Sequence, residues 1–90
     1  MMQYVWDARK RQFNLVKHGL DFADAEIVFE GPTFTYEDDR YNYGEQRWIT
    51  LGFLKGVLVA IAHTETPSEI RIISMRRGTK YEQSIFFENL

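Results

Sequence analysis

"RWITLGFLKGVLVAIAHT", residues 47–64, decides the fold. Two runs rich in β-branched and aromatic side chains flank Lys55-Gly56, and a glycine there permits the tight turn of a β-hairpin. The second run is apolar on both faces, as a central strand would be. An antiparallel pair therefore lies at the heart of the molecule.

Downstream, "TPSE" turns the chain into a third strand, "EIRIISM" (69–75). It breaks off at Arg76-Arg77, and Thr79 with Glu82 forms the S/T-x-x-E capping box that opens a last helix. Upstream, "TFTYE" (33–37) alternates with the period of a strand, and "DDRYNYGEQ" reads as a polar loop. In "DFADAEIVFEG" (21–31), Asp21 can cap a helix whose buried stripe is Phe22, Ala25 and Phe29, ended by Gly31-Pro32. "QYVW" (3–6) is a short strand. Asp7 caps a helix that runs to about Lys17 and ends at Gly19. At ~100° per residue, Ala8, Phe13, Leu15 and Val16 fall on one arc, the expected buried side. Lys10, Asn14, Lys17 and His18 form a basic, hydrogen-bonding ridge opposite. The order is β-α-α-β-β-β-β-α, an α+β domain over residues 1–90 whose mainly antiparallel sheet is covered by helices.

A hydrophobic share of 44% and an aromatic share of 16% are enough for a real core. Without cysteine there is no disulfide and no thiolate metal site. "MMQYVWDARK" lacks a secretory apolar region, and no run approaches the ~20 residues of a membrane span, so a soluble cytoplasmic protein is expected. The net charge of −2 argues mildly against nucleic acid, but the charges are segregated. Residues 9–18 hold Arg9, Lys10, Arg11, Lys17 and His18 with no acid, whereas residues 21–45 hold acids against Arg40 alone. The segregation suggests a basic face and an acidic face, or else charges that simply cluster on solvated surfaces.

Phosphate cradles of the Walker or dinucleotide type are missing, and so is a nucleophile elbow. The two histidines, His18 and His63, make a poor zinc site. What remains is basic. Strand alternation places Arg76 with Ile70, Ile72 and Ser74, and Arg77 with Arg71, Ile73 and Met75. Beside the start of the last helix, an arginine fork can hold phosphate, or it can pair with the neighbouring acids. His18 either caps its helix or carries a proton near neutral pH. His63, Trp6, Trp48 and Phe53 are expected in the sheet and core. In "KYEQSIFFENL" the apolar residues point several ways, so Phe86, Phe87 and Leu90 are expected to be exposed and covered by a partner, the alternative being that the last turn frays and its aromatics fold back on the core.

Over almost its whole length the chain resembles the BrnT family of ribonuclease toxins from bacterial type II toxin–antitoxin pairs. The likeness runs in order through "WDARK" with Asn14 and "KHG", then "LDFADA", "VFEGP", "YGEQRWITLG" and "IRIISMRRGTKYE". It implies a RelE-like fold, metal-independent RNA cleavage that halts translation, and neutralisation by a ribbon-helix-helix DNA-binding antitoxin, with a toxin dimer as a further possible assembly. It also implies that Arg76 and Arg77 belong to the active site. The roles that follow give Arg76 and Arg77 to the phosphate, Lys10 and Lys17 to orienting the strand or stabilising charge, and His18 to proton transfer. Glu45 is a weaker candidate base, and no cofactor is needed. Met75 and Gly78 depart from the family's pattern, where alanine is expected. The rival reading is a non-catalytic binding module or co-repressor acting through a DNA-binding partner.

Overall fold

The computed structural model describes residues 2–90, so the reading that begins at Met1 lies partly outside it. The elements are β1 (Gln3–Trp6), α1 (Ala8–His18), a 3-10 turn (Phe22–Asp24) running into α2 (Ala25–Glu30), β2 (Thr33–Glu37), β3 (Trp48–Leu54), β4 (Val57–Glu65), β5 (Glu69–Arg77) and α3 (Lys80–Glu88). This is the expected order, in one sheet arranged β1-β5-β4-β3-β2. The central hairpin turns at Lys55 and Gly56, with φ of 51° and 79°. Left-handed backbone at both positions matches the twist of the flanking strands. Only β1 runs parallel to its neighbour, pairing Gln3–Trp6 with Glu69–Ile72 of β5.

One face of the sheet packs Val59, Ile61, Ile70, Ile72 and Met75 against Phe22, Ala25 and Val28. The single helix expected over 21–31 begins instead as the 3-10 turn, with Asp21 accepting from Ala23 N at its head. Val28 is fully buried and Phe29 only partly. Gly52 permits this approach, because a Cβ there would stand 2.7 Å from Val28 Cγ1. The other face packs Ile49, Leu51, Leu58, Ala60 and Ala62 beneath Phe86 of α3. Phe86 is therefore core, not the exposed partner residue expected, whereas Phe87 and Leu90 do lie outside. Phe53, expected in the core, is partly exposed and meets Phe86 edge-on.

Two local events redirect the chemistry of β5. The first is a register shift between Ala62 and His63 of β4: Ser74 pairs with Ala62, and Ile72 pairs with His63. Ile73 is the extra residue of a bulge, which reverses the alternation beyond it. Met75 accordingly joins Ile70 and Ile72 in one core, while Arg76, opposite Ala60, takes the other face. The expectation that Arg76 shares a face with Ile70 and Ile72 is corrected by that one residue.

The second event reverses α1. Its buried residue is Asn14, while Phe13 and Val16 are 70% and 78% exposed. The cause lies at the edge of the sheet. β1 ends at Trp6, opposite Ile72, but β5 continues to Arg77. Asn14 Oδ1 accepts from Met75 N at 3.1 Å, and Asn14 Nδ2 donates to Leu20 O at 3.0 Å. A buried amide left without a partner costs about 1–3 kcal/mol, and this asparagine supplies the partner at the open strand edge. The expected buried side of α1 is outside, and the ridge carrying Lys10, Asn14, Lys17 and His18 turns toward β5.

Candidate functional site

A groove of about 440 Å³ runs between α1 and β5. Arg9, Lys10, Phe13, Lys17 and His18 come from the helix, and Ile73 and Ser74 from the bulged strand. Asn14 fixes the helix at this distance, so the hydrogen bonds that reverse α1 also assemble the groove. Asp7 caps the helix at one end, accepting from Arg9 N and Lys10 N, and Gly19 ends it at φ 70°. Among the described residues no carboxylate lines the groove. Among the charged helix residues nearby, Arg11 is neutralised, through a fork to Asp21 at 2.7 and 3.1 Å. Lys10 and Lys17 are thus gathered, with His18 beside them, at a basic site open to solvent.

Arg76 lies on the same face of β5 as Ser74, about 7 Å of strand rise farther on. Its guanidinium meets Glu82, with Nη1 donating to Oε1 at 2.6 Å and Nη2 to Oε2 at 2.9 Å. Glu82 is 4% exposed and also accepts from Thr79 N and the Tyr36 hydroxyl. These donors hold its carboxyl down at about 2 despite burial, which acts the other way. Tyr36 rises to about 12, because burial and the adjacent carboxylate both oppose its ionisation. The capping box read from the sequence is present, and the same glutamate is also the anchor of Arg76. Toward β2 the surroundings of Arg76 are acidic, with Glu37, Asp38 and Asp39; Asp38 is tied to Arg40 at 2.8 Å.

The structure does not bring every candidate to this place. Arg77 lies on the opposite face of β5, opposite Val59, and borders a surface hollow with Phe53, Val57, Gln83 and Phe87. Gly78 N donates to Leu58 O at 2.9 Å, which holds the joint between Arg77 and Thr79 despite the glycine. Glu45 sits near the other end of β5. It receives Arg71 Nη2 at 2.7 and 2.8 Å and Arg47 Nε at 3.1 Å, and these partners hold its carboxyl below the usual range. A carboxylate so engaged is a weak base.

The two histidines separate cleanly. His63 is fully buried, with Nε2 2.7 Å from Thr50 Oγ1, and burial pushes it down to about 4. Its Nδ1 has no hydrogen-bond partner, and Glu65 Oε1 stands 3.5 Å away. It stays neutral and out of reach of a substrate. His18, on the groove, is the histidine that can meet one. Glu82 and Tyr36 are the residues that sequence reasoning missed. The only signal was a capping-box glutamate six positions beyond Arg76.

Comparison with known proteins gives the family. A family model described as "Ribonuclease toxin, BrnT, of type II toxin-antitoxin system" matches residues 6–82. The crystal structure of the Brucella abortus ribonuclease toxin BrnT superposes with a TM-score of 0.70 at 28% identity, covering 89% of this chain and 100% of that one. A search of curated proteins gave no match. Among the described residues no helix is long and apolar enough to cross a membrane. The chain belongs to the BrnT family of ribonuclease toxins of type II toxin–antitoxin systems.

Proposed function

We propose that the protein cleaves RNA in the groove between α1 and β5, without a metal ion, and that a ribbon-helix-helix antitoxin restrains it in the cytoplasm. The observation that carries this reading is the gathering of Lys10, Lys17 and His18 in a groove free of carboxylates, on the face of β5 that bears Arg76. The backbone of RNA offers the complementary charge. In this reading Lys10, Lys17 and Arg76 supply the electrostatics.

The reaction is an internal phosphoryl transfer. The ribose 2′-oxygen attacks the adjacent phosphorus and loses its proton, while the bond from phosphorus to the 5′-oxygen breaks and that oxygen gains a proton. A 2′,3′-cyclic phosphate and a free 5′-hydroxyl result. Lys10 and Lys17 hold the strand by its phosphates. Arg76 stabilises the charge that builds on the phosphorane oxygens. His18, the histidine on the groove, serves the proton transfer. Arg77 adds positive potential from beyond the strand end, and Glu45 is left to its arginines.

The test is cleavage of a defined RNA in excess chelator by the parent and by His18→Ala, with the fold checked by circular dichroism. The parent should cleave fully, and the variant should fall by about two orders of magnitude. Activity that disappears with chelator and returns with a divalent ion would defeat the mechanism.

A further inference from the structure

We infer that Glu82 is a positioning residue for RNA cleavage: it grips Arg76 end-on and leaves the side edge of that guanidinium to the phosphate. The inference rests on the proposed role of Arg76. A guanidinium presents two forks, one between its terminal nitrogens and one between Nε and the outer hydrogen of Nη2. Glu82 occupies the first, at 2.6 and 2.9 Å. The other hydrogen of Nη1 goes to Arg77 O at 3.3 Å. The second fork has no partner among the described residues, and the Arg76 side chain is 32% exposed. Two parallel N–H groups of that kind match a pair of phosphate oxygens.

The anchor is rigid because three parts of the fold hold it. Tyr36 of β2 donates to Oε2 at 3.0 Å, Thr79 N at the head of α3 donates to Oε1 at 2.9 Å, and Arg76 belongs to β5. A free arginine would spend rotamer entropy on reaching the transition state; one locked beforehand does not. The charges around it also set the direction of approach. Glu37 and Asp39 repel an anion on the β2 side, while Lys10, Lys17 and His18 attract one on the α1 side.

A purely structural ion pair would show the same distances, so the test must separate the two. Cleavage is measured as kcat and KM for the parent, Glu82→Gln, Arg76→Met and the double variant, with thermal melts alongside. Glutamine keeps the helix cap, since either Glu or Gln serves at that position. The double variant leaves no unpaired buried charge. Glu82→Gln should lower kcat by about 10- to 100-fold with KM changed little, as a misplaced catalytic group does. In the Arg76→Met background the same change should cost nothing further. An equal loss in both backgrounds, or parental kcat in Glu82→Gln, overturns the inference. If Arg76→Met itself cleaves like the parent, the proposed role of Arg76 fails first, and this inference falls with it. Should Glu82→Gln not fold, Tyr36→Phe takes its place. It should lower kcat by about 3-fold in the parent and by nothing beside Arg76→Met, and equal losses would again overturn the inference.

Discussion

Helices α1 and α3 are held to the sheet by opposite means. α3 buries an aromatic ring, Phe86, against the sheet and ties its head to Arg76 through Glu82. α1 buries an amide, Asn14, and leaves Phe13 and Val16 in solvent. One helix is anchored by apolar area and the other by completing the hydrogen bonds of a sheet edge. The difference bears on function. A helix whose one buried side chain is polar leaves most of its surface free, and α1 spends that surface on lysines and a histidine around the groove.

The largest expected effect breaks the apolar anchor. Phe86→Ala should cost about 3–5 kcal/mol in urea unfolding, a large part of what a domain this size possesses. Val16→Ser, at an apolar position of α1, should stay within about 0.5 kcal/mol. If the two cost the same, the contrast between the helices is wrong.

Breaking the polar anchor comes next. Asn14→Ala strands the Met75 amide and the Leu20 carbonyl, and should cost about 2–4 kcal/mol. Asn14→Asp sharpens the point, because a carboxylate can accept from Met75 N but has no donor for Leu20 O. It should fall between parent and alanine. Alanine as stable as the parent would mean that packing, not the edge hydrogen bond, sets the helix.

A smaller effect contrasts Asn14 with the half-satisfied His63. His63 titrates at about 4 in the folded protein and near its usual 6.5 when unfolded. The unfolded chain therefore binds the proton first as pH falls, so stability declines from pH 6.5 downward and levels off below about 4. Between pH 7 and 5 the loss should be about 1–2 kcal/mol. Glu82 acts in a lower window, since its depressed carboxyl gives up its contribution only as pH falls from about 4.5 toward 2. Unfolding curves at pH 7, 6 and 5 for the parent and His63→Leu test this. A parent as stable at pH 5 as at pH 7 would contradict it.

How much of this was legible in the sequence depended on how far apart the deciding residues lie. Local signals served well: Lys55-Gly56 set the hairpin, Asp7 and Gly19 bounded α1, and Thr79 with Glu82 opened α3. Their partners are within a few residues. The orientation of α1 was not legible, because Asn14 meets Met75 61 positions away, where β1 happens to stop. Nothing in "ARKRQFNLVKH" announces an unpaired strand edge. The face of Arg76 turned on the bulge at Ile73, which depends on the register of β4 against β5. Phe86 was misjudged because spread along a helix does not reveal how much of α3 the sheet covers. For the candidate site, residue types and the ridge of Lys10, Lys17 and His18 were readable. The anchor of Arg76 was not, because Glu82 already had an adequate local explanation as a cap.

The central claim is that the groove between α1 and β5 holds the RNA backbone. Its most direct test is the salt dependence of RNA binding by the parent and by Lys10→Ala with Lys17→Ala. Single-stranded RNA loses about 0.7 in the slope of log K against log salt for each phosphate contact removed, so the double variant should be shallower by about 1.4. A slope equal to the parent's, with the fold intact, would show that RNA does not lie in this groove.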